Sequence, residues 1–181
     1  MNKIFIVILA MFFGLTATAQ FKTGTLQAAG LTCAMCTKAI NETLKELSFV
    51  QSVKADIKNS QFIIRFKEGV SVDPDALKKA VEDAGFSIAK LKLALDFENT
   101  KVDNDSHVKI GNRTYHFLDV SSQQLDGEKT ITFVDKNFVL AKEFKKYAGK
   151  TQMTCVQTGK AESCCKKEGA AENARIYHVT I

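Results

Sequence analysis

Gly30-Leu31-Thr32-Cys33-Ala34-Met35-Cys36 places two thiols three residues apart on the turn that opens an amphipathic helix, and the segments around it decide the fold. Upstream, Gly24 to Ala29 reads as a strand. Downstream, Ile40, Thr43, Leu44 and Leu47 recur at helical spacing, so the helix runs from about Cys36 to Leu47. Two alternating runs follow: Val53, Ala55 and Ile57 share one face, Phe62, Ile64 and Phe66 share another, and Asn59-Ser60 is the turn of the hairpin they form. Asp73-Pro74 then supplies an N-cap with proline at the first helical position. Leu77, Ala80, Val81 and Ala84 form the apolar stripe, and Gly85 ends the helix. A last strand, Phe86 to Leu93, completes the order βαββαβ, the ferredoxin-like split unit.

This placement gives Cys33 and Cys36 their chemistry. Unpaired N–H groups and the positive end of the helix dipole favour thiolate over thiol, and thiolate is the form that binds metal. Soft sulfur selects Cu(I) or Zn(II) before magnesium or calcium. The competing reading is a disulfide, structural or catalytic, because C-x-x-C at a helix start is also the thioredoxin arrangement. Against it, the chain has no tryptophan, and its one proline, Pro74, is already used as a helix starter.

Residues 22 to 94 resemble the heavy-metal-associated domain family of copper chaperones, copper-pump metal-binding domains and periplasmic mercury-binding proteins. The resemblance rests on Gly30 to Cys36 at the front and Asp83-Ala84-Gly85-Phe86 at the back. It implies that Cys33 and Cys36 are the metal ligands, with Cu(I) held between two accessible sulfurs and passed to a partner's cysteines. It also implies that Phe86 packs under the metal loop. Leu31 stands where the family usually has methionine, and leucine should anchor the loop about as well. Met35 offers a thioether between the two thiols, at a position where family members vary.

The N-terminus reads as a signal peptide over residues 1–19: Lys3, an apolar run from Ile4 to Leu15, then the small-residue site Thr16-Ala17-Thr18-Ala19. That run is short of the ~20 residues of a membrane crossing. Its cleavage would lower the formal net charge from +5 to +4, and the dispersed lysines give no nucleic-acid footprint. Export to the periplasm or beyond would place the five cysteines in an oxidising compartment.

The expected architecture is α+β in two units: the ferredoxin-like domain over 20–95, a polar connector over 96–106, and a small mostly-β domain over 107–181. In the last unit, Val108 to Ile110 and Thr114 to Val120 flank a Gly111-Asn112 turn, and Lys129 to Val134 follows a turn at Asp126-Gly127. Asp135 caps a helix striped by Leu140, Ala141, Phe144, Tyr147 and Ala148, and strands near Gln152 to Val156 and Arg175 to Ile181 close the chain. That order suits a small barrel of the OB kind. Cys155, Cys164 and Cys165 could converge on a second metal, or Cys155 could pair with Cys164 or Cys165 in a hairpin disulfide. His107, His116 and His178 show no ligand spacing and read as lone strand residues.

No G-x-S-x-G, P-loop or G-x-G-x-x-G occurs, so nothing in the sequence asks for an enzyme. The function expected is an exported, soluble metal carrier or buffer. Cu(I) is its expected cargo, with Hg(II) or Zn(II) as alternatives, and its partner would be a metal-transporting membrane protein or another cysteine-bearing carrier. The competing function is a thiol-disulfide oxidoreductase using Cys33 and Cys36.

Overall fold

Leu91, Leu93, Leu95 and Phe97 alternate buried with less buried neighbours along one strand that reaches well past residue 93, and this strand organises the whole molecule. In the computed structural model, which describes residues 20–31, 33–166 and 171–181, β1 (Phe21–Ala29) leads to α1 (Ala34–Lys45) and the hairpin β2 (Val50–Asp56) and β3 (Gln61–Phe66). Next come α2 (Pro74–Asp83) and β4 (Ser87–Val102). The signal peptide expected over residues 1–19 lies outside the described residues.

Asp73 caps α2 as expected, its Oδ1 accepting from the N–H groups of Asp75 at 2.9 Å and Ala76 at 3.3 Å. At the other end Gly85 takes φ +87°, a left-handed turn that lets Phe86 N–H reach the Val81 carbonyl. Strands β2, β3, β1 and β4 lie side by side in antiparallel pairs, the ferredoxin-like order. Ile40 and Leu44 of α1 and Leu77 and Val81 of α2 are buried in one core with Leu26, Phe62 and Ile64. Ile57 departs from expectation: it lies beyond the end of β2 and is 79% exposed.

The second half corrects several readings. Residues 96–102, expected within a connector, are the continuation of β4. The polar residues Glu98 and Asn99 sit at a β-bulge, where the register against β7 (Gln123–Phe133) shifts between Phe97 and Thr100 and Asn99 takes φ +45°. Beyond the bulge Val102 is buried again. Asp126-Gly127 is likewise no turn between strands; it lies inside β7, Gly127 opposite Phe97 with φ +67°. A bulge consumes the same polar and glycine residues as a turn, so composition alone does not separate them.

Strands β5 (His107–Ile110) and β6 (Arg113–Phe117) form the expected hairpin, and β8 (Ile176–Thr180) runs parallel to β6 and antiparallel to β7. The strands expected to form an OB-like barrel instead extend one eight-stranded sheet in the order β2-β3-β1-β4-β7-β8-β6-β5. The helix α3 (Ala141–Ala148) starts after Leu140 and stops at Gly149, so Asp135 is not its cap. Where a strand was expected near 152–156, Cys155–Thr158 is a helical turn, α4, and Ser163–Lys166 is another, α5.

Polar contacts tie the halves together around the start of α2. Asp75 Oδ2 accepts from Arg175 Nε and Tyr177 Oη, each at 3.0 Å, and Arg113 reaches Asp73 at 3.1 Å and Ser71 at 2.8 Å. Arg175 also donates to Asp135 at 3.0 Å. Asp135, nearly fully buried, accepts the His178 backbone N–H at 2.7 Å and faces His178 Nδ1 at 2.9 Å.

Candidate metal-binding site

Cys33 is the N-cap of α1, its sulfur accepting from Cys36 N–H at 3.0 Å and its carbonyl from Thr37 N–H at 3.1 Å. Both cysteines therefore sit in the first turn of a twelve-residue helix, beside N–H groups that have no intrahelical partner. Cys33 is exposed, Cys36 half-buried and Met35 between them 77% exposed, so the pair lies open to solvent at one end of the sheet. Leu31 packs against the core, which is the anchoring role expected of it, and Phe86 is partly buried against the same core.

The two sulfurs are bonded to each other. In this oxidised state neither is a thiolate. Metal binding here requires two electrons and two protons to convert the disulfide into two thiols, whose protons an incoming soft cation then displaces. The surface position leaves the bond accessible to a reducing thiol.

The C-terminal cysteines lie elsewhere. Cys155 and Cys165 are both buried and share a small cluster with Ala161 and Ile176; the side chain of Cys164 lies outside the described residues. Cys155 Sγ faces His116 Nδ1 at 3.6 Å.

The three histidines, expected to stand alone, are instead close together. The rings of His107 and His116 stack with centroids 4.3 Å apart, and His178 meets His116 edge-on at 5.1 Å. The signal for the first pair was present in the sequence: a two-residue turn at Gly111-Asn112 pairs Ile110 with Arg113 and, three residues out on each strand, His107 with His116. The meeting of His116 with His178 depends on the parallel pairing of β6 and β8, which no local pattern announces.

Residues 25–87 match the model of the heavy-metal-associated domain. Over 74 residues the chain is 31% identical to a probable copper-exporting P-type ATPase of Archaeoglobus fulgidus; the match covers 41% of this chain and 9% of that protein, so the chain spans under a tenth of that relative's length. Among solved structures, the CopZ metallochaperone is 24% identical, with 37% of this chain and 98% of that one covered and a TM-score of 0.34. A yeast copper transporter domain, solved in apo and Cu(I)-loaded states, is 28% identical, with 36% and 88% covered and a TM-score of 0.32. The segment that carries Cys33 and Cys36, residues 25–87, is a heavy-metal-associated domain.

Proposed function

We propose that this protein is an exported carrier or buffer of heavy-metal ions that binds Cu(I) between Cys33 and Cys36 once their disulfide is reduced. The observation that carries the reading is the position of the pair: two sulfurs at the exposed N-terminus of a helix, within a heavy-metal-associated domain. The matched relative is named as a copper exporter, which supports copper as the cargo. Two thiolates would hold the ion in near-linear coordination, and an incoming thiolate would form a three-coordinate intermediate before one original sulfur leaves. Open coordination of this kind suits hand-over to a metal-transporting membrane protein or another cysteine-bearing carrier. No helix among the described residues is long and apolar enough to cross a membrane.

The disulfide favours a second reading, a thiol-disulfide oxidoreductase. Titration of the reduced full chain with Cu(I) against a competing chelator separates the two. Carriage predicts that C33S/C36S takes up one equivalent fewer than the unsubstituted chain. Equal uptake by both, together with turnover of a disulfide substrate in the absence of metal, would establish the oxidoreductase instead.

A further inference from the structure

His116 is fully buried on β6 between two neighbours that fix its two nitrogens in different ways. Its Nε2 lies 3.1 Å from Asp105 Oδ1 and its Nδ1 lies 3.6 Å from Cys155 Sγ. A carboxylate only accepts, so a neutral ring carries its proton on Nε2 and turns the Nδ1 lone pair towards the sulfur. Burial, with His178 and His107 close by, disfavours the charged form of the ring. A histidine whose far nitrogen is held by a carboxylate is the usual arrangement of a metal ligand, because that bond sets both ring orientation and basicity.

Cys155 and His107 complete the set. One donor atom from each of His107, His116 and Cys155 lies within 4.8 Å of the others. With bonds of about 2.1 Å to nitrogen and 2.3 Å to sulfur, two ligands on a tetrahedral ion stand about 3.6 Å apart, against about 4.4 Å on a linear one. The His116–Cys155 separation of 3.6 Å matches the tetrahedral case. His107 is the least buried of the three and its ring lies stacked on that of His116.

We propose that His107, His116 and Cys155 form a second metal centre, with two imidazole nitrogens and one thiolate, that takes a tetrahedral, borderline-soft divalent ion of the Zn(II) class. Uptake displaces the Cys155 proton and leaves both imidazoles neutral. The donor set differs from the expected trio Cys155, Cys164 and Cys165 in drawing two ligands from the β5-β6 hairpin. His178 stands next to the site, its Nδ1 held by Asp135 and its buried Nε2 without a hydrogen-bond partner among the described residues. The centre is buried, unlike the Cys33–Cys36 pair, which suits an ion that stays rather than one that is passed on. It stands whether or not Cys33 and Cys36 carry copper.

Co(II), a spectroscopic substitute for Zn(II), tests the proposal in the reduced full chain carrying C33S/C36S, which silences the first site. The expected result is one equivalent bound with tetrahedral ligand-field bands and a thiolate-to-cobalt charge-transfer band. C155S should abolish that charge-transfer band and C165S should retain it. H107Q, at the most accessible ligand, should weaken binding on the order of tenfold or more with an unchanged near-UV spectrum. D105N should weaken it on the order of 10- to 100-fold, since asparagine tolerates the left-handed backbone of Asp105, φ +63°. Absence of Co(II) uptake, or a charge-transfer band lost in C165S and kept in C155S, overturns the proposal. If C155S fails to fold, an H107Q variant that binds as tightly as its parent overturns it.

Discussion

Replacement of Asp135 by alanine should destabilise the protein by about 3–5 kcal/mol, the range for removing one partner of a buried ion pair. The carboxylate is 3% exposed and accepts from Arg175 and from the His178 backbone N–H, with His178 Nδ1 2.9 Å away. Its removal leaves the His178 backbone N–H buried without an acceptor, at about 1–3 kcal/mol, and the ring nitrogen at a similar cost. Arg175 contributes less than a fully buried charge would, because its side chain is 32% exposed and still has Asp75. The chain has no tryptophan, so urea unfolding is best followed by far-UV circular dichroism, with D135A compared with the unsubstituted protein. The midpoint should fall while the denaturant slope stays constant. A loss below about 1 kcal/mol, the value of an ordinary surface pair, would refute the claim that Asp135 is the buried node of this network.

Three further outcomes are expected. Burial alone would raise the Asp75 carboxyl, but hydrogen bonding and charge from Arg175, with Tyr177 and Lys78, hold it below the usual carboxylate range. Its stabilisation is therefore complete above the unfolded value of about 3.9 and is lost as pH falls through the lower folded value; D75N should flatten that acid limb in urea midpoints taken across it. A Cβ at Gly24 would meet Leu93 Cδ2 at 2.8 Å and Phe66 Cζ at 3.0 Å, both in the core, so G24A should lose about 1–3 kcal/mol by the same unfolding measurement. The Cys33–Cys36 bond closes a loop of only three intervals, so reducing it should cost no more than about 2 kcal/mol and leave the far-UV spectrum intact. Unfolding on reduction would exclude metal binding by a folded dithiol site.

The first half was readable because most of its boundaries carry a local cause. Asp73 and Pro74 start a helix, Gly85 stops it, and the period of two in Phe62, Ile64 and Phe66 marks a strand. The second half is held by contacts between residues far apart in the chain. Asp135 looks like a helix cap until β8 arrives to use its carboxylate, and Glu98-Asn99 looks like a linker until Gly127 is placed across from Phe97. The position of Cys33 and Cys36 at the opening of a helix was legible from spacing, and a disulfide between them was the reading that competed with metal. The histidine cluster was legible as far as His107 and His116, given the Gly111-Asn112 turn, and no further.

Strand β4 pairs with β1 over residues 87–95 and with β7 over residues 92–102, so both of its edges are covered over residues 92–95. A fragment ending near residue 95 would keep the family's segment yet strip β7 from residues 92–95, baring backbone donors and acceptors beside Leu93 and Leu95. Such an uncapped ribbon is a template for self-association. Cutting the cysteine-bearing unit away from the rest of the chain would thus open a short stretch of sheet edge that β7 now shields.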